Sequence, residues 1–99
     1  MRYDVNFTKR AEKSYDKNIA YLKKDWGNAT VVQFMDRVDE LVENIAQNPF
    51  TYSFYSRARK IRKCVVNERI ILFYRISAKT KVSVLLFWNT YQSPSKLKL

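Results

Sequence analysis

Histidine is absent from the sequence, cysteine occurs once (Cys64), glycine once (Gly27) and proline twice (Pro49 and Pro94). Without histidine there is no histidine-based triad. Without companions for Cys64 there is neither an intramolecular disulfide nor a zinc site. No metal and no cofactor is therefore expected. No apolar run approaches the ~18 residues of a membrane span, and Met1 to Asp16 holds no stretch that reads as a secretory signal. The expectation is a cytoplasmic protein that does not engage a membrane.

What is present suffices for a core: 46% of the 99 residues are apolar and 15% aromatic, unlike the profile of disorder. A chain of this length makes one domain, residues 1–99. Acid is what the second half lacks. Residues 1–50 contain eight Lys/Arg and eight Asp/Glu, whereas residues 51–99 contain eleven Lys/Arg and the single acid Glu68, so the whole net charge of +10 falls there. Such segregation points to a polyanion or an acidic protein as partner. A generally basic, soluble protein would not require it.

Tyr3 to Phe7 alternates apolar and polar, the pattern of a half-buried strand. Thr8 can cap a helix whose apolar face is Ala11, Tyr15, Ile19, Leu22 and Trp26, ended by Gly27. Asn28 can cap a second helix on which Val31, Phe34, Met35, Val38, Leu41, Val42 and Ile45 recur at helical spacing, with acids on the other side and Asn48-Pro49 as the stop. The short break between them predicts an antiparallel helical hairpin. Phe50 to Ser56 reads as a loop, Ile61 to Val66 as a strand, and Asn67-Glu68 as a tight turn. Arg69 to Ile76 and Val82 to Asn89 read as buried strands, and Tyr91 to Leu99 as a polar tail. The predicted fold is α+β in the order β-α-α-β-β-β, an antiparallel sheet with a helical hairpin on one face.

The basic run Arg57, Arg59, Lys60, Arg62 and Lys63, followed by Arg69 and Arg75, is the candidate binding surface. A strand over 61–66 sends Arg62 and Lys63 to opposite faces. The plainer reading is a charged edge strand that blocks aggregation, which needs fewer cations. Phe73, Tyr74, Phe87 and Trp88 read as core, as do Phe7, Tyr15, Trp26 and Phe34. Tyr52, Phe54, Tyr55 and Tyr91 lie in loops beside cations, where stacking on bases is open to them. Cys64 reads as a small buried hydrophobe.

A strand ending in Phe7-Thr8, a helix with Ala11 and Tyr15, then Ile19-Ala20-Tyr21-Leu22 and a Trp26-Gly27 break follow one another. A second helix closed by Asn48-Pro49, Ile61-Arg62-Lys63-Cys64-Val65-Val66, Ile70 to Tyr74-Arg75-Ile76 and a last strand leading to Pro94 complete the series. In order, spacing and length this resembles the RelE/ParE superfamily of bacterial toxins from type II toxin–antitoxin (plasmid stabilisation) systems. The resemblance implies a toxin neutralised by a co-expressed acidic antitoxin that wraps the helices and sheet. It also implies one of two activities, ribosome-dependent messenger RNA cleavage (RelE-like) or non-catalytic inhibition of DNA gyrase (ParE-like).

For the nuclease branch the resemblance would draw on Arg62 and Lys63, with Arg59 and Lys60 beside them. Where that branch has an arginine in the next strand this chain has Ile71, and Arg69 is the substitute. Before Pro94 it has Tyr91-Gln92-Ser93 rather than a basic residue, and Tyr91 alone can replace the tail tyrosine. These departures, with the long helical pair broken at Trp26-Gly27, place the chain closer to the ParE branch. Target binding would then use Arg57, Arg59, Lys60, Arg62, Lys63, Arg69, Arg75 and Tyr91. A third reading is a nucleic-acid-binding domain without toxicity.

Overall fold

The computed structural model describes residues 2–99. Strand β1 (Asp4–Phe7) leads into helix α1 (Lys9–Trp26) and helix α2 (Asn28–Gln47). Strands β2 (Phe54–Ser56), β3 (Ile61–Val65), β4 (Ile70–Ala78) and β5 (Lys81–Asn89) follow, and a 3-10 turn covers Pro94–Lys96. The sheet order is β1-β5-β4-β3-β2. The antiparallel meander of β3, β4 and β5 is as expected. The sheet as a whole is mixed, however, because β1 runs parallel to β5, with Asp4 opposite Lys81 and Phe7 opposite Val84. The intervening helical hairpin covers one face and gives the chain the length a parallel partner needs. The segment read as a loop contains the three-residue β2, which pairs with β3 across an irregular register between Phe54 and Ser56.

Capping is local chemistry. Thr8 Oγ1 accepts the Ala11 N–H at 3.1 Å, fixing the start of α1. Its hydroxyl can also donate toward Val84 O, at 3.1 Å, tying that helix start to β5. Gly27, at φ 89°, closes α1 and also serves as the N-cap of α2; no side chain caps α2, and Asn28 is already its first residue. At the β3–β4 turn, Asn67 Oδ1 accepts the N–H groups of Arg69 and Ile70 at 2.8 and 2.9 Å.

Two apolar clusters lie on opposite faces of the sheet. The helix-side cluster joins Ala11, Leu22, Phe34, Val38, Leu41 and Ile45 to Cys64, Leu72, Tyr74, Val84 and Phe87. The far-side cluster is small: Ile61, Phe73, Leu86 and Trp88, against which Ile71, Leu85, Leu97 and Leu99 pack. The tail is thus not merely polar, since two leucines lay it on the sheet. In β5, Val82 and Val84 face the helices, but a register shift opposite Phe73 and Tyr74 resets the alternation, so Phe87 faces them too.

The four residues of β1 cover only the first half of β5. Beyond them α1 supplies the missing partners. Ser14 Oγ accepts the Phe87 N–H at 2.9 Å, and Asn18 Nδ2 donates to Phe87 O at 3.0 Å. That accounts for a buried asparagine on an apolar helical face, since an open strand edge under a helix would otherwise leave backbone groups unpaired.

Candidate functional site

The structure distributes the basic residues over three places. Arg57, Arg59 and Lys60 form the exposed β2–β3 turn, where Lys60 takes the left-handed conformation at φ 58°. Arg62 leaves β3 on the helix-side face. Its guanidinium donates to Tyr52 O at 2.6 Å and to Phe50 O at 3.4 Å, and its centre lies 3.9 Å from the Phe54 ring centroid. Arg57 approaches the same ring at 5.0 Å. Phe50, Phe54, Arg57, Lys60, Arg62 and Ile76 line a cleft of about 270 Å³ in which cations and aromatic rings lie side by side. Cations held over ring faces are attracted by the aromatic quadrupole and still present charge outward.

Lys63, one residue on, leaves the opposite face as alternation requires, exposed and paired in register with Phe73. Arg75 pairs with Ile61 in register, and its guanidinium reaches Arg59 O at 3.4 Å. Tyr55 stands edge-on to Phe73 with centroids 4.8 Å apart. The far side therefore carries Lys63 and Arg75 around a small apolar centre.

Arg69 occupies a third place. It lies just ahead of β4, and the Asn67 turn sends its side chain to the ends of the helices rather than to the face that carries Ile71. Its guanidinium stacks at 3.8 Å over Trp26, pairs with Glu68 at 2.8 Å and sits 5.8 Å from the Tyr91 ring centroid. Trp26, expected in the core, is 48% exposed and serves as this platform. Arg62 is opposite Tyr74 in register, and Arg69 lies five residues before Tyr74, a separation of about 17 Å along the sheet. Arg62 and Lys63 thus diverge across the sheet, while Arg69 and Tyr91 meet at its far end.

The ionisable groups whose pKa values are clearly displaced move away from neutrality. Burial pushes the Cys64 thiol up to about 12, against the opposing charge of Arg37. Burial also raises the Tyr74 hydroxyl, which donates to Pro49 O at 2.7 Å. Arg2, hydrogen-bonded at 2.6 and 2.7 Å, holds the Glu43 carboxyl down at about 2. Cys64 is accordingly a core residue, as the sequence suggests, and not a nucleophile. Among the described residues no cluster of three or more metal-ligating side chains occurs, and no helix is long and apolar enough to cross a membrane.

Sequence reasoning missed one feature. Arg10, Lys13 and Lys17 of α1 line a groove of about 640 Å³ together with the end of β5 and the tail. Their i, i+3, i+7 spacing was legible, but the acids elsewhere in residues 1–50 cancel them in the sum.

Comparison with known proteins places this architecture. No curated protein matches the sequence. Among solved structures, the chromosomal ParDE toxin–antitoxin system of P. aeruginosa superposes with a TM-score of 0.73 at 12% identity, covering 89% of this chain and 96% of that one. The YoeB/ParE toxin from Agrobacterium tumefaciens gives 0.66 at 11%, covering 87% and 96%. A chain of the E. coli DinJ–YafQ toxin–antitoxin complex gives 0.61 at 11%, covering 92% and 96%. At such identities the likeness is one of fold. The family model for the ParE toxin of the type II toxin–antitoxin system parDE matches residues 5–94. From the first strand to the tail, then, the chain belongs to the ParE toxin family, within the RelE/ParE superfamily of type II toxins.

Proposed function

We propose that this toxin acts by binding rather than by cutting, as a ParE-like inhibitor of DNA gyrase held in check by a co-expressed acidic antitoxin. The observation that carries the reading is the dispersal of the groups a nuclease would need. Without histidine, cleavage of RNA requires a positioned base and cations gathered around one phosphate. Here Arg62 is engaged with two backbone carbonyls and Phe54 on the helix side, Lys63 leaves the other face, and Arg69 with Tyr91 stands about 17 Å further along. A binding protein has no need of convergence. The cleft under Arg57, Lys60 and Arg62 offers aromatic area and charge to an acidic protein surface. The antitoxin partner follows from family membership and from the related structures, several of which are toxin–antitoxin complexes.

One observation favours the alternative, a RelE-like ribosome-dependent messenger RNA endoribonuclease: Arg69 and Tyr91 place a cation beside a phenol. The test is to assay gyrase supercoiling and to map transcript ends on translating ribosomes, with wild type and Tyr91→Phe. The expected result is inhibited supercoiling, uncut transcripts, and at most about a tenfold loss in the variant, the value of one hydrogen bond. Transcript cleavage that disappears in Tyr91→Phe, a loss of about 10²–10⁴-fold, overturns the proposal.

A further inference from the structure

The groove between α1 and the tail lies outside every residue assigned above except Tyr91. Three cations of α1 stand on its rim. Arg10, Lys13 and Lys17 are separated by about 4.5 and 6 Å along the helix axis, a span of about 10 Å. Lys96 joins them from the 3-10 turn. No acidic residue lines the groove, and none of these four cations has an ion-pair partner among the described residues. Of the nearest acids of α1, Glu12 lies around on the other side, and Asp16, three residues after Lys13, neither lines the groove nor makes an ion pair.

A second observation comes from the groove wall. Asn89, 7% exposed, uses Oδ1 to accept the Tyr91 N–H at 2.9 Å. Its Nδ2 makes no hydrogen bond to a described residue, so it remains a donor at the groove. Asn18, by contrast, is spent on Ser14 O and Phe87 O. At the mouth stands Tyr91, 70% exposed, with the Arg69 guanidinium 5.8 Å from its ring centroid.

The geometry points to a binding groove for single-stranded nucleic acid: the phosphodiester backbone runs along Arg10, Lys13 and Lys17 with Lys96 opposite, a base stacks on Tyr91, and Asn89 Nδ2 meets a base or phosphate acceptor. Cations in a row beside an exposed aromatic are the arrangement that tracks a continuous line of charge with stackable bases. A plain run of carboxylates, such as poly-glutamate, offers charge but no ring faces. A cavity of about 640 Å³ admits a short piece of one strand, whereas a duplex would meet only the rim. This inference goes beyond gyrase inhibition and does not depend on it.

The experiment is fluorescence anisotropy of the full chain with a labelled single-stranded oligonucleotide of about a dozen nucleotides, titrated over a range of salt. The matching duplex and a poly-glutamate peptide serve as competitors. The variants are Arg10→Gln/Lys13→Gln/Lys17→Gln and, with equal loss of charge elsewhere, Lys24→Gln/Lys79→Gln/Lys81→Gln, each checked for an unchanged melting temperature. Three lost phosphate contacts reduce the magnitude of the log affinity against log salt slope by about 2, while the control leaves it nearly unaltered. Tyr91→Ala weakens single-strand binding by about tenfold or more. Equal losses in both triple variants would reduce the effect to general basicity and overturn the proposal. Poly-glutamate displacing the oligonucleotide more effectively than the duplex does would also overturn it, assigning the groove to an acidic protein.

Discussion

The two faces of the sheet share three strands and differ in almost everything else. The helix-side face is sealed by α1 and α2 and holds an aromatic stack in which Phe7, Tyr15, Phe34 and Phe87 meet at centroid distances of 5.3–6.2 Å. The far side has four buried side chains and no helix, and its cover is the pair Leu97 and Leu99 on an irregular tail. Strand residues of similar hydrophobicity therefore carry different burdens. On the helix side they hold the molecule together, and on the far side they keep a surface shielded yet close to solvent. Lys63 and Arg75 emerge on that second face, whereas Arg62 emerges at the margin of the first.

The comparison breaks if the two faces respond alike to truncation. Phe34→Ala, in the sealed core, should cost about 3–5 kcal/mol, measured by denaturant unfolding. For a domain of this size that is a large share of total stability. Leu97→Ala with Leu99→Ala should cost only about 1–2 kcal/mol together, because both are half-covered, and should raise binding of a hydrophobic dye. Equal losses would show that the tail is as structural as the helices.

The smallest effect concerns the rim of the helix-side face, where Arg2 and Glu43 tie the residues ahead of β1 to α2. The folded carboxyl is depressed to about 2 from an ordinary 4.5, so its contribution is fully present above about pH 4.5 and is lost as pH falls toward 2. Both side chains are about half exposed or more, which keeps the effect slight and salt-sensitive. A melting-temperature decline between pH 5 and pH 2.5 that is shallower in Glu43→Gln would confirm it, and parallel curves would refute it.

Most of the fold was legible because helical and strand periods differ. The α1–α2 hairpin, the Gly27 break and the three-strand meander follow from spacing alone. What was not legible depends on distant partners. A three-residue strand such as β2 has no period to detect, and the four residues of β1 do not say that β5 is their neighbour. The register shift in β5 hides in a run where every candidate face is apolar. In the candidate site, alternation predicted the divergence of Arg62 and Lys63. Nothing local predicted that Arg69 would turn toward Trp26, since that depends on the Asn67 turn and on where α1 ends. Nor could summed charge reveal Arg10, Lys13 and Lys17, which acids balance numerically although none of them lines the groove.

The parallel pairing of β1 with β5 has a consequence in time. Val5 meets Val82, so at translation rates of about 5–20 residues per second the partner of the first strand arrives roughly 4–15 s later. Until then the aromatic stack lacks Phe87 and the start of α1 lacks its anchor at Val84. Contacts so distant in sequence close slowly and late. A nascent chain therefore carries its first strand unpaired, and its core open, until β5 has been made.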